Sequence, residues 1–170
     1  MNKELHQFFT NDHRRLEALL AATENSGCAD MDSYSSFRTG LLKHIKMEEK
    51  ILFPAAQKAN KGVPLPLTAQ LRLDHAAITS LLVLPPDASL IKLLWYILER
   101  HDVAEEEPGG IYDLCELLTQ DQTLDLLNQL SNVSEVPVHP PNSSSFALGA
   151  AKRSLARAGY DFDLIVAGYK

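Results

Sequence analysis

Apolar residues recur at helical spacing through the first two-thirds of the chain, cut by short breaker clusters. Leu5, Phe9, His13, Leu16 and Leu20 fall three and four apart, which places them on one face of a helix over 3–25. Asn25-Ser26-Gly27 stops it. Asp32 or Ser33 can cap a second helix whose stripe is Phe37, Leu41, His44, Glu48, Ile51 and Leu52, with Pro54 and then Gly62, Pro64 and Pro66 as its end. A third helix, about 67–84, aligns Leu71, His75, Ile78 and Leu82. After Pro85-Pro86-Asp87, a stop followed by a cap, a fourth aligns Leu90, Leu94, Ile97, Leu98, His101 and Glu105. No segment reads as a strand.

Further on the pattern loosens. Pro108-Gly109-Gly110 interrupts, and 111–131 reads as one or two short helices carrying Leu114, Leu117, Leu118, Leu126, Leu127 and Leu130. Residues 132–145 are a linker by composition, rich in Pro and Ser. The tail, 146–170, carries a basic amphipathic helix around Lys152, Arg153 and Arg157 that ends at Gly159. Its apolar stretch from Phe162 to Val166 needs burial, either on the rest of the chain or on a second subunit in a homodimer. The expected architecture is all-α: an up-down-up-down four-helix bundle over 1–131, the linker, and a helical tail.

One histidine stands on each of the first four apolar stripes. Short loops make neighbouring helices antiparallel, and two residues equidistant from a loop then lie at one height. His13 and His44 are centred on the Gly27–Asp32 loop, His44 and His75 on the break at Lys61-Gly62, His75 and His101 on the Pro85–Ala88 turn. All four therefore share one layer, to within about one helical turn of ~5.4 Å. Glu48 and Glu105, each four residues after a histidine, join the same faces. Unpaired, such a layer would be costly to bury; a metal takes up its nitrogen and oxygen lone pairs. A carboxylate so placed can bridge two ions. Imidazole and carboxylate without thiolate suit iron or manganese and leave zinc as an alternative. A lone His-x-x-x-Glu is weak, as His13 and Glu17 also show that spacing; Glu17 reads as an outer acceptor beside His13 or, more simply, as a solvated helix residue. His6 and His139 fall outside the layer. Trp95 and Tyr96 read as packing.

The two halves repeat one motif. Asp12-His13 leads to His44-Ile-Lys-Met-Glu48-Glu49, and Asp74-His75 leads to His101-Asp-Val-Ala-Glu105-Glu106. Together with the run from His44 to Phe53-Pro54, this resembles the hemerythrin-like HHE cation-binding domain over about residues 3–120. The resemblance implies His13, His44, His75 and His101 as terminal ligands and Glu48 and Glu105 as bridges between two irons, oxo- or hydroxo-bridged. Oxygen-carrying hemerythrins have a further histidine four positions after the third; here that position is Thr79. The set is more similar to the iron-sensing and nitrosative-stress-repair relatives. Pro108, three residues after Glu105, kinks or ends the fourth helix and makes Glu106 a substitute for Glu105.

Composition narrows the rest. With 170 residues the chain suits one domain. A net charge of -6 argues against nucleic acid or an anionic membrane as partner. The N-terminus lacks the apolar core of a signal peptide, and Cys28 and Cys115 form no Cys-x-x-Cys, so the expectation is a cytoplasmic protein with two reduced thiols. The functions that follow are binding or sensing of O2, NO or iron, or a redox enzyme acting on peroxide or oxygen, or in cluster repair, with electrons from a partner protein; a third, less favoured, is iron storage or a metal that only stabilises the bundle.

Overall fold

The structure is a computed structural model and describes residues 3–168. These are helical, with no strand among them. Helix α1 spans Glu4–Asn25 and buries Leu5, Phe9, His13, Leu16 and Leu20. Helix α2, Met31–Met47, is capped by Asp30, not by Asp32 or Ser33. The Asp30 carboxylate accepts from Ser33 N at 2.9 Å and from Ser33 Oγ at 2.6 Å, so Ser33 serves as donor to the cap.

Pro54 does not stop this helix. Residues Glu48–Leu52 form a π turn in which Phe53 N–H reaches Glu48 O, and the helix resumes as α3, Phe53–Ala59, with Pro54 in its first turn. The wider turn absorbs the donor that proline lacks. Helix α4, Thr68–Leu81, and helix α5, Ala88–Glu106, follow, the latter capped by Asp87 as its sequence suggests. Pro108 falls just beyond the end of α5, and Glu105 remains inside the helix and fully buried. Helices α6, Ile111–Thr119, and α7, Thr123–Ser131, are joined by a 3-10 turn.

The apolar core is split into two clusters. On α1 the chain runs from Phe9 in one cluster through His13 to Leu16 in the other; on α2 it returns from Leu41 through His44 to Met47. The same alternation holds for Leu71, His75 and Ile78 on α4 and for Leu98, His101 and Ala104 on α5. The chain thus crosses one polar layer four times in alternating directions, with apolar packing above and below. Helix α1 lies against α2 and α5, and α4 against α5.

The tail returns to the same chain. Helix α8, Ser145–Ala158, lies along α4 and buries Ala147, Ala151, Leu155 and Ala158; helix α9, Phe162–Ala167, lies on α5 and buries Ile165. The segment before it is tied down by Lys46 Nζ to Ser134 O, Arg38 Nη2 to His139 O and Asn142 N to Val83 O. No described helix is long and apolar enough to cross a membrane.

Candidate metal centre

The six residues singled out by the pattern converge in the polar layer. His13 Nε2 lies 2.9 Å from His44 Nε2, and His75 Nε2 lies 3.1 Å from His101 Nε2. Glu48 and Glu105 sit between the two pairs. Glu48 turns Oε1 to His44 Nε2 (3.4 Å) and Oε2 to His75 Nε2 (3.2 Å). Glu105 turns Oε2 to His13 Nε2 (3.4 Å) and Oε1 to His101 Nε2 (3.1 Å). Each carboxylate therefore offers one oxygen to each histidine pair. The result is two four-donor sets, His13/His44/Glu48/Glu105 and Glu48/His75/His101/Glu105, either of which could hold a metal ion.

The outer nitrogens are also fixed by carboxylates. His44 Nδ1 lies 2.9 Å from Asp12 Oδ2 and His101 Nδ1 lies 3.3 Å from Asp74 Oδ2, within each half of the repeat. His13 Nδ1 lies 2.6 Å from Glu106 Oε1 and His75 Nδ1 lies 2.8 Å from Glu49 Oε1, each crossing to the other half. All four Nδ1 atoms thus face carboxylates, which makes Nδ1 the nitrogen that keeps its proton in a neutral ring and turns Nε2 inward. The second acidic residue of each Glu-Glu pair is an orienting group, and so is the aspartate before each of His13 and His75. Glu106 belongs to this outer ring, leaving Glu105 as the inner carboxylate.

Asp74 carries a second connection. Gln70 Nε2 donates to Asp74 Oδ1 (2.9 Å) and to Ala158 O (3.0 Å), joining the residue that orients His101 to the end of α8. Tyr160, beyond that end, is near enough to Asp74 that burial and that carboxylate together push its phenol up.

Electrostatics describe a pocket built for positive charge. Burial opposes ionisation of His44, yet the Glu48 carboxylate and the bond to Asp12 outweigh it and raise the imidazole to about 10. His75 and His101 are raised against burial in the same way, chiefly by Glu48 for the first and Glu105 for the second. Glu48 is held well below the carboxylate range despite burial, by His44 and His75. Burial likewise opposes charge on Asp12, Glu49 and Glu106, and their bonds to His44, His75 and His13 more than offset it.

The residues fit a metal on three observations. Four imidazole Nε2 atoms converge with the four carboxylate oxygens of Glu48 and Glu105. Glu48 Oε2 and Glu105 Oε1 are buried with no hydrogen-bond partner; their neighbouring imidazole nitrogens are near enough to attract but not aligned to donate. The donors are nitrogen and oxygen only, the set expected for iron, manganese or zinc. A third group, His13 with the half-buried Asp102 and Glu106, lies on the outer side of the layer.

Tyr112, on α6, enters the layer as well, and no pattern in the sequence marks it. Its hydroxyl lies 2.5 Å from Glu48 Oε1 and 2.9 Å from Glu105 Oε2. Gly110 makes this approach feasible: a Cβ there would meet Glu105 O at 2.7 Å and Ala104 O at 2.9 Å, so only glycine lets α6 begin against the end of α5. Glu17 pairs with Arg14 at the surface, and His6 bonds to Glu106 O, outside the cluster. Trp95 donates to Glu24 and Tyr96 stacks against Arg100, both away from the layer.

Compared with family models, with curated proteins and with solved structures, the chain gives no match.

Proposed function

We propose that this chain is a hemerythrin-like di-iron protein: α1, α2, α4 and α5 form a four-helix bundle around two irons and bind or sense a small molecule, O2 or NO, or iron itself. The observation that carries this reading is the arrangement of Glu48 and Glu105, each with one oxygen toward His13/His44 and the other toward His75/His101. In this reading the four histidines hold the ions terminally, the two glutamates bridge them, and Asp12, Glu49, Asp74 and Glu106 fix the rings. A di-iron pair supplies reversible redox and ligand-binding chemistry.

The size of the space beside the layer favours a ligand of very few atoms. A cavity of about 20 Å³ touches His13, His44 and His101 and is otherwise lined mainly by Leu16, Leu41, Ile45, Ile78 and Leu98. That is room for little more than one water-sized group. Its apolar wall suits a diatomic molecule better than a charged substrate.

A second reading, a redox enzyme of oxidative or nitrosative stress defence or of iron–sulfur cluster repair, draws on Asp102. This residue lines both the cavity and an outer groove with Arg14, Glu17 and Val103. Burial pushes its carboxyl up to about 6, so it can hold or release a proton at the cavity edge near neutral pH. Steady turnover of peroxide or nitric oxide with an added electron donor, lost in Asp102→Asn, would favour the enzyme. Metal analysis of the protein with optical spectra with and without azide tests the main reading. It expects two irons per chain and bands that respond to azide; a single zinc with a featureless spectrum would overturn it.

A further inference from the structure

The pseudo-symmetry of the two donor sets is broken at one place. Tyr112 Oη stands 3.2 Å from His13 Nε2 and 3.3 Å from His44 Nε2, besides its contacts to Glu48 Oε1 and Glu105 Oε2. Those are the two carboxylate oxygens that face His13 and His44, not the two that face His75 and His101. Five donor atoms therefore enclose one point. Their separations are those of neighbouring ligands on one ion, since donors bound at about 2.1 Å and at right angles lie roughly 3 Å apart.

Hydrogen bonding alone does not account for this position. The phenol has one proton to give, and two carboxylate oxygens, Glu48 Oε1 at 2.5 Å and Glu105 Oε2 at 2.9 Å, stand ready to accept it. It can satisfy one of them. Phe9 stacks on the Tyr112 ring at 5.0 Å and His6 meets its edge at 6.0 Å, which hold the ring and direct its oxygen inward. On the other side the ring packed on His75 is Phe53, which has no oxygen to offer.

We propose that Tyr112 Oη is a fifth protein donor to the ion held by His13 and His44, so that the two metal positions are unequal. This rests on the two-metal reading above. The oxygen–metal bond forms as the phenolic O–H breaks, and the proton leaves to solvent; no electron is transferred. The His13/His44 ion then has five protein donors and the His75/His101 ion four, so an added small ligand has more room at the second.

The test is resonance Raman and Mössbauer spectroscopy on the full chain, loaded with ferrous iron and oxidised to the ferric state. The wild type is expected to bind two irons, to show tyrosinate ring modes that shift when tyrosine is ring-deuterated, and to give two distinct iron signals. Tyr112→Phe keeps the ring and removes the oxygen; it is expected to keep two irons, lose those modes and bring the two iron signals together. Two irons with no tyrosinate modes in the wild type, or modes that persist in Tyr112→Phe, would overturn the ligand role while leaving the di-iron reading intact. Failure of the wild type to bind iron at all would overturn both, and that result is distinct from the former. A Tyr112→Phe chain that loses its fold is recognised by circular dichroism, and the deuterium shift in the wild type then decides alone.

Discussion

Asp12 Oδ2 and His44 Nδ1 lie 2.9 Å apart although 32 positions separate them, and Arg15 holds the other oxygen of the same carboxylate. Asp12 thereby fixes the ring plane of His44 and keeps its Nε2 pointed at the layer. Such outer partners typically contribute ten- to a hundredfold to metal affinity. Asp12→Asn is expected to weaken metal binding by about that factor, measured by competition with a chelator. Asp163→Asn, which alters an exposed pair with Lys152 in the tail, is the control expected to leave affinity unchanged. Equal affinity in Asp12→Asn and wild type would remove the orienting role.

Proton release should accompany loading. Without metal, His44 is raised to about 10 from an ordinary 6.5, so it is charged at neutral pH and a metal must displace its proton. Metal affinity is therefore expected to climb with pH until about 10. For the metal-free fold the sign runs the other way. The raised value stabilises the fold fully below about 6.5, and that contribution is lost as pH rises through about 10. Calorimetric loading in buffers of different ionisation enthalpy checks the first point, and denaturant melts of metal-free protein against pH check the second.

The two thiols should differ sharply. Cys115 is fully buried, and burial pushes its thiol far up, whereas Cys28 is half-buried in the turn after α1. Only the exposed thiolate reacts. One thiol per chain is expected to be labelled under native conditions and two in denaturant. Rapid labelling of both in the native state would contradict the burial of Cys115 under the site.

Anchoring of the tail can be measured by stability. Leu155 is fully buried on α8, and its replacement by Ala is expected to cost about 2–5 kcal/mol. Leu124 is 80% exposed, and Leu124→Ala should stay within about 0.5 kcal/mol of wild type. Denaturant unfolding of the two variants compares them directly.

The layer was readable in the sequence because two independent regularities agree there. Helical spacing put His13, His44, His75 and His101 on apolar faces, and loop midpoints put them at one height; both depend only on local geometry. Other features depend on contacts that a linear pattern does not contain. Pro54 reads as a stop, because the π turn that accommodates it is a choice between two backbone hydrogen-bond patterns. Tyr112 lies beyond the Gly109-Gly110 break, and only the close approach of Gly110 to the carbonyls of α5 brings it inward. Asp12, Asp74, Glu49 and Glu106 stand beside the histidines and inner glutamates in both halves of the repeat, which was a visible signal. Their partners were not visible, since Glu106 reaches His13 and Glu49 reaches His75 across the two halves. The tail helix itself was legible from its pattern and its Gly159 stop. Its docking was not, because small residues such as Ala147 and Ala151 suit any close helix contact.

The central claim is that two ions share Glu48 and Glu105. Crystals of iron-loaded protein, measured at the iron absorption edge, test it most directly. The account predicts two anomalous peaks about 3.5–4 Å apart, one between His13 and His44 and the other between His75 and His101. A single peak, none, or a peak on the outer side among His13, Asp102 and Glu106 would contradict it.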